Sequence, residues 1–292
     1  MFMGDVYAIM TAICWSSAVI LFDISSKKMD SAQLNVLKNM VGVIGFIITI
    51  ILLKIPIPFF TSSQWYILLI SGAIGVGIAD LLFLASLKRL GSGLSAVVAT
   101  VYTPSIFIIS YILYDEVITI KLLTGGMLVV MGIVFATYKT PKSITKANLY
   151  IGIILGVLAQ ILTAYSILVI KPIMVDNPII YIALYRFSTG LFITVGFLIY
   201  RKGVSGLIET VSHGFNTLSI LAASILGTYL SVIFWLAGFK YTLASRAAIY
   251  NQLSTILIII MAVFFLKEKM SYKKWIGVSL SICGAILISI KL

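Results

Sequence analysis

Apolar residues in this chain occur in long unbroken runs and do not alternate with polar ones. A helix needs about 20 apolar residues to cross a bilayer, whereas a barrel strand needs about ten that alternate. The pattern therefore predicts an all-α integral membrane fold with transmembrane helices joined by short connections. The ten predicted spans are residues 5–22, 33–53, 65–87, 92–113, 118–138, 148–170, 178–200, 216–239, 243–266 and 272–290.

Composition supports this interpretation. Of the 292 residues, 61% are hydrophobic, against about 45–50% in a soluble domain. The two cysteines, Cys14 and Cys283, lie inside apolar runs, which predicts structural thiols. The single histidine, His213, lies in a polar connection, and a metal site needs several ligands. We therefore expect no metal and no cofactor.

The net charge of +12 is consistent with a membrane protein. In a soluble chain it would suggest a nucleic-acid partner. Here the basic residues lie between the apolar runs, where they anchor helix ends at lipid headgroups. We expect membrane lipids as partners and no nucleic acid, with the chain in the plasma membrane.

The second half of the sequence repeats the first. At an offset of 152, Glu268 matches Glu116 and Gly277 matches Gly125, and thirteen of the 62 pairs from 75/227 to 136/288 are identical. Further upstream, at an offset of 148, Lys38 matches Arg186. The repeat predicts two five-helix domains, residues 1–139 and 147–292. Because five is odd, the second half would cross the membrane in the opposite sense, as in many secondary transporters.

The repeated glutamates Glu116 and Glu268 each precede a predicted helix. A carboxylate at that position suits the positive end of the helix dipole, which predicts a structural role. The alternative is a gate or an ion pair.

Taken together, these features resemble the EamA-type ten-helix members of the drug/metabolite transporter superfamily over the whole chain. The resemblance rests on the duplicated glutamate unit, on Pro104 in "YTPSIFIISYILYDE", on the junctions "ASLKRLGSGLSA" and "AGFKYTLASRAA", and on the basic residue of each second helix. Ile256 departs from the pattern, because it stands where the repeat would place a second proline. The resemblance implies a cavity between the halves, lined by helices 1–4 and 6–9.

Three charged residues, Lys38, Asp80 and Arg186, lie more than one helical turn inside predicted spans. Charge at such a position is costly, so these residues are candidates for function. Lys38 and Arg186 are near enough to helix starts to extend to the interface, and their repeat-related placement favours a structural or anchoring role. The alternative is that they face the cavity and attract an anionic group such as a carboxylate. Asp80 matches Val232 in the repeat, so duplication does not account for it. Either its carboxyl is hydrogen-bonded to a hydroxyl or amide of a neighbouring helix, or it faces the cavity. In the cavity it would exchange a proton for substrate or bind a substrate amine. Helical spacing puts Ala73 and Gly77 on its face.

Other polar side chains form stripes on single helices, which in membranes more often serve helix packing than binding. By the resemblance, those that would line the cavity are Tyr102, Asn251, Gln252, Trp15 and Gln160.

These residues predict a secondary transporter that exports or exchanges a small metabolite, such as an amino acid, by alternating access. No GxxxxGK[ST] motif occurs, so the expected energy source is proton or ion coupling, or exchange. A membrane scaffold or lipid-scrambling protein is the alternative. An intramembrane enzyme is disfavoured, because the one aspartate inside a span and the one histidine have no partners in any catalytic motif.

Two patterns in the sequence predict opposite orientations of the chain in the membrane. Connections on one side carry 13 Lys and Arg, and the side with both termini carries 6. The positive-inside rule therefore places the termini outside, whereas the resemblance implies cytoplasmic termini.

A single cysteine at Ser143, in a chain without Cys14 and Cys283, tests the orientation. The family orientation predicts that an impermeant maleimide labels this site from outside intact cells. Protection of the site in intact cells, with labelling after lysis, supports the orientation from the charge count instead.

Overall fold

The computed structural model describes residues 3–137, 144–215, 217–265 and 272–289. Among these residues the chain is helical and contains no strand, which confirms the predicted all-α class. Two of the helical segments have π-helical geometry and are named π1 (Gly72–Ala79) and π2 (Ile225–Leu230). The α-helices are α1 (Met3–Ser26), α2 (Ser31–Leu53), α3 (Ser62–Ser71), α4 (Asp80–Ala99), α5 (Tyr102–Tyr114), α6 (Ile120–Thr137), α7 (Lys146–Val169), α8 (Lys171–Asp176), α9 (Ile179–Phe215), α10 (Leu218–Ser224), α11 (Ser231–Tyr241), α12 (Ala244–Asn251), α13 (Leu253–Phe265) and α14 (Tyr272–Ser289).

Six helical stretches in the described ranges are long and apolar enough to cross a membrane. They correspond to the first, second, third, sixth, seventh and eighth predicted spans. Three shorter apolar helices, Tyr102–Tyr114, Ile120–Gly132 and Trp275–Gly284, overlap the fourth, fifth and tenth. The ten-span arrangement itself stays a prediction.

The fourth and ninth predicted runs are not continuous helices. The fourth, residues 92–113, breaks at Thr100 and Val101, and the chain bends just before it at Gly91, whose φ of 73° lies in the left-handed region. The ninth breaks at Gln252, the residue that matches Thr100 in the repeat. Pro104, expected inside a long helix, therefore lies in the first turn of α5, where proline removes no helical hydrogen bond.

Each half also contains a π-helical segment at a repeat-related position. Such segments shift the side chains that follow around the helix axis. The Asp80 N–H donates to the Gly75 carbonyl, five residues earlier. As a result Gly75 and Asp80 both face the interior, while Gly77 lies against Ile193. The expectation that Ala73, Gly77 and Asp80 share a functional face, which assumed α-helical spacing, is wrong for this reason.

The helices pack in pairs across the two halves of the chain. The most extensive pairings are α6 with α14, α4 with α7, α2 with α9, and α1 with α11. Small residues allow these approaches: a Cβ at Gly284 would lie 2.6 Å from the Gly125 carbonyl oxygen. Apolar side chains fill the space between the other pairs, with Phe46, Phe187 and Leu236 fully or almost fully buried.

Polar contacts between the halves mark two ends of the bundle. At end A, Tyr181 Oη donates to the Ile55 carbonyl over 3.2 Å, and Tyr114 donates to the Leu168 carbonyl. At end B, Lys202 Nζ lies 2.7 Å from Asp30 Oδ2, Gln33 Nε2 donates to Thr210 Oγ1 over 3.0 Å, and the hydroxyls of Ser25 and Ser219 lie 3.3 Å apart.

Substitution of Gly72 tests this close packing. A Cβ there would lie 2.5 Å from the Arg186 carbonyl oxygen and 2.8 Å from its Cα, and backbone atoms cannot move aside cheaply. We expect Gly72→Ala to lower the free energy of unfolding in detergent by about 1–3 kcal/mol. Gly196→Ala is the matched control, because no atom lies within 4 Å of its added Cβ. Equal stability of the two variants would contradict the packing.

Candidate functional site

A cavity lies between the two halves of the chain. It leaves about 170 Å³ for the centres of water-sized molecules, which is room for a small solute. All eight side chains expected at the transport site line it. These are Trp15, Lys38, Asp80, Tyr102, Gln160, Arg186, Asn251 and Gln252.

The first charged feature of the cavity is an ion pair. Lys38 Nζ lies 2.6 Å from Asp80 Oδ2, and the Lys38 side chain is 5% exposed against 23% for Asp80. Lys38 Nζ also donates to Asn39 Oδ1 over 2.9 Å and lies 5.4 Å from the centre of the Phe187 ring. The ammonium therefore points inward, and the expectation that it extends to the interface is wrong.

Two buried asparagines support this ion pair. Asn39 Nδ2 donates to Asn35 Oδ1 over 3.4 Å, and Asn35 Nδ2 in turn donates to the Gly77 carbonyl over 3.2 Å. That carbonyl belongs to π1. The network therefore ties α2 to the segment that positions Asp80.

Arg186 is the second charged feature, and it is 1% exposed. Its Nη2 donates to Ser166 Oγ over 3.1 Å, and its guanidinium lies 5.6 Å from the centre of the Trp235 ring. Its Nε and Nη1 are buried without a hydrogen-bond partner among the described residues. Gly75 makes room for this group, since a Cβ there would lie 2.2 Å from Ser166 Oγ. The interface-anchor interpretation is therefore also wrong for Arg186.

Trp235 connects Arg186 to two other expected site residues. Its Nε1 donates to Tyr102 Oη over 3.3 Å. With its amide oriented to satisfy both ends, Asn251 donates to the Ala8 carbonyl and offers its oxygen as a second acceptor for the same Trp235 N–H, each over 3.2 Å. These contacts hold the indole ring beside the guanidinium.

The remaining expected residues contribute differently. Gln252 Nε2 donates over 2.8 Å to the carbonyl of Ala99, which lies at the helix break of the other half. It therefore satisfies a carbonyl that the break leaves free. The rings of Trp15 and Phe83 pack 5.7 Å apart as an apolar wall, and half-buried Gln160 lies on the α7 side.

The repeat glutamate Glu116 lies away from the cavity, at end A. Its Oε1 accepts from the Ser245 backbone N–H over 3.1 Å and from the Ser245 hydroxyl. Ser245 is in the first turn of α12, whose N-cap residue, Leu243, offers no side-chain acceptor. Glu116 therefore caps a helix of the other half. Glu268 lies outside the described residues.

The glycines of the repeat motif are packing residues. Gly125 and Gly277 are both buried, on α6 and α14, which pack together. At this place the two helices are in close contact.

Sequence reasoning missed several residues that build the site. It did not pair Lys38 with Asp80, although these are oppositely charged residues within spans. It also missed the ring contacts of Phe83 and Phe187. The ion pair could have been found from charge alone, since buried charges in membranes pair with one another.

Sequence comparison identifies relatives of the chain. The model of the EamA-like transporter family matches residues 2–138 and again residues 150–290. The "Uncharacterized transporter YetK" of Bacillus subtilis (strain 168) is 31% identical over 100 residues, which is 32% of this chain. This match spans 30% of the length of that relative.

Structural comparison agrees at the level of the fold. A solved structure described as "Crystal structure of protein" superposes with a TM-score of 0.77 at 14% identity. The match covers 97% of this chain and 95% of the other.

The cavity between helical halves and the two family matches define a multi-pass integral membrane protein of the transporter class. The chain belongs to the EamA-like transporter family.

A double-mutant cycle tests the Lys38–Asp80 pair. Asp80→Asn or Lys38→Gln leaves the other charge without its partner, while the double variant removes both. We expect the two single variants together to lose about 1–3 kcal/mol more unfolding free energy than the double variant loses. As a control, Lys202→Gln breaks an exposed pair and should cost less than about 1 kcal/mol. Additive effects of Asp80→Asn and Lys38→Gln would show that the pair contributes little.

Proposed function

We propose that the chain is a secondary transporter that carries a small metabolite through the central cavity by alternating access. Its two halves would be inverted repeats, and the cavity would open in turn at end A and end B. The observation that carries the proposal is a cavity between the halves that holds three ionisable side chains, Lys38, Asp80 and Arg186.

Packing supports the repeat. Several contacts between helices have a counterpart in which both helices are replaced by their repeat equivalents. The α1–α11 contact corresponds to the α7–α4 contact, the α1–α13 contact to the α7–α5 contact, and the contact of π1 with α9 to that of π2 with α2. The α2–α9 and α6–α14 pairs are each their own counterpart. Inverted repeats with a site at their interface are a common construction of secondary transporters.

Contacts at end A favour a state that is closed there. Arg246 Nε donates to Asp5 Oδ1 and Arg246 Nη2 donates to Asp5 Oδ2, each over 2.8 Å, and Asp5 is fully buried. Together with Glu116 on Ser245, this pair binds the start of α12 to α1 and to the α5–α6 turn. We name these two contacts the end-A latch.

Among the described residues, end B shows no counterpart of the Asp5–Arg246 ion pair. The repeat position of Arg246 is Leu94, which cannot pair with a carboxylate. The cavity wall also extends to Ser92 near end B, whereas its repeat counterpart Ala244 at end A is fully buried. We infer that the state seen here favours access from end B.

Flux into proteoliposomes tests the function. The purified chain should raise the uptake of at least one solute from a panel of amino acids, organic acids and nucleobases, with and without a pH gradient. A response to the gradient would identify proton coupling. No flux for any solute, combined with rapid lipid exchange between leaflets, would identify a scramblase and contradict the proposal.

Opening of the latch should change which end admits reagents. In a chain without Cys14 and Cys283, a cysteine at Thr11, in the cavity wall, reports access. We expect Arg246→Gln to raise its maleimide labelling from end A by about threefold or more, because a bidentate charged pair is lost. The control Arg201→Gln alters an exposed arginine outside the cavity. Unchanged labelling in Arg246→Gln would show that the pair does not hold end A shut.

A further inference from the structure

We propose that Arg186 is the anion-binding group of the cavity, and that the solute is a small carboxylate with an apolar body. This inference rests on the proposed transport function and names its substrate class. The juxtaposition that carries it is a buried guanidinium with two unpartnered nitrogens, in the wall of a cavity whose single described carboxylate is already paired.

The hydrogen bonds of the Arg186 guanidinium are only partly satisfied by the described residues. Arginine has five N–H donors, and buried donors in proteins are normally satisfied. Among the residues that the structure describes, only Nη2 of Arg186 has a hydrogen-bond partner, the neutral hydroxyl of Ser166. Because Nε and Nη1 remain unpartnered, the group is prepared for a ligand with several acceptor atoms. A carboxylate matches the planar fork of a guanidinium and can accept two hydrogen bonds from it.

Charge balance leads to the same ligand. Lys38 and Asp80 neutralise each other at 2.6 Å. Asp80 is also the only acidic residue among the described residues that line the cavity. Asp80 also attracts Arg186, so two cations share one carboxylate, and the three side chains carry a net charge of +1 in a buried, membrane-embedded site, which is costly. One anionic group beside Arg186 removes that cost, whereas a substrate amine would compete with Lys38 for Asp80.

The other walls indicate what the carboxylate is attached to. The indole ring of Trp235 lies against the guanidinium, and Phe83 is one helical turn beyond Asp80. Trp15 packs on Phe83, and Val19 and Ile258 complete this part of the wall. An aromatic or aliphatic body would bury apolar area there. A single guanidinium also suits one carboxylate better than a polyanion.

An inorganic anion such as chloride carries the same negative charge and is the alternative ligand. It lacks a second acceptor atom and an apolar body. Comparison of each carboxylate with its neutral amide, and with chloride, therefore distinguishes the two kinds of ligand.

The test is equilibrium binding to the purified full chain in detergent. The probes are 3-phenylpropionate and butyrate, their amides 3-phenylpropionamide and butyramide, and chloride, each titrated against the thermal unfolding midpoint. We expect the carboxylates to raise the midpoint, 3-phenylpropionate at lower concentration than butyrate, and the amides and chloride to have little effect.

Variants assign the effect to Arg186. Arg186→Gln should raise the apparent Kd for 3-phenylpropionate by about tenfold or more, because a charge-assisted interaction is lost. Arg186→Lys keeps the charge but loses the fork, so it should also weaken binding, and it carries the test if the glutamine variant does not fold. Arg201→Gln, on the same helix but exposed, is the matched control and should bind as the wild type.

Several results would overturn the inference. Amides that stabilise as well as their carboxylates, or Arg186 variants that bind like the wild type, would show that Arg186 does not recognise a carboxylate. Equal stabilisation by chloride, lost in the same variants, would assign the site to an inorganic anion. The results also separate failure of this inference from failure of the proposed transport function. Carboxylate binding without flux of any solute rejects the proposed function and keeps this inference, and flux without carboxylate binding does the reverse.

Discussion

The buried guanidinium of Arg186 is the constraint on which the rest of the cavity depends. An arginine in a membrane span costs free energy unless its charge and its donors are compensated. The fold supplies only part of that compensation, through the hydroxyl of Ser166, the ring of Trp235 and the carboxylate of Asp80, which Lys38 also pairs with. The glycine at position 75 and the contacts of Trp235 with Tyr102 and Asn251 follow from the need to hold this group in place. In our account the solute supplies the remainder.

Irregular helices are the means by which the fold builds a polar site in an apolar bundle. The breaks at Thr100 and Gln252 release backbone carbonyls, and Gln252 satisfies one of them at Ala99. The segment π1 rotates Asp80 towards Lys38. Non-helical backbone is tolerated at such depth where it is buried in protein or lines a cavity, which is where these breaks lie. A helix end that is capped from the other half, as Glu116 caps α12, also links the two halves mechanically.

Much of this was predictable from the sequence, and the failures have physical causes. Hydrophobic runs predicted the helical class and the long helices, because lipid imposes the same length on every span. The repeat and the family resemblance predicted which helices surround the cavity, and the eight expected residues do line it. Run length could not reveal the breaks at Thr100 and Gln252, since both halves of a broken helix are apolar. Standard α-helical spacing misplaced the face of Asp80, because a π-helical segment does not follow it.

The direction of Lys38 and Arg186 was misjudged for a related reason. Their distance from the helix starts permits either an interfacial or an interior position, and only the packing of the neighbouring helices decides. The pairing of Asp5 with Arg246, which lie 241 residues apart, also could not be read from the sequence. It depends on how α12 begins beside α1 in the folded protein.

The central claim is that one cavity opens alternately at two ends around a fixed cluster of charges. Electron spin resonance distances between labels at Val6 and Leu243, at end A, and between labels at Ser92 and Lys146, at end B, test it most directly. The account predicts that both pairs show two distances, and that a condition which lengthens one shortens the other. Distances that stay single at both ends, or that lengthen together, would contradict alternating access.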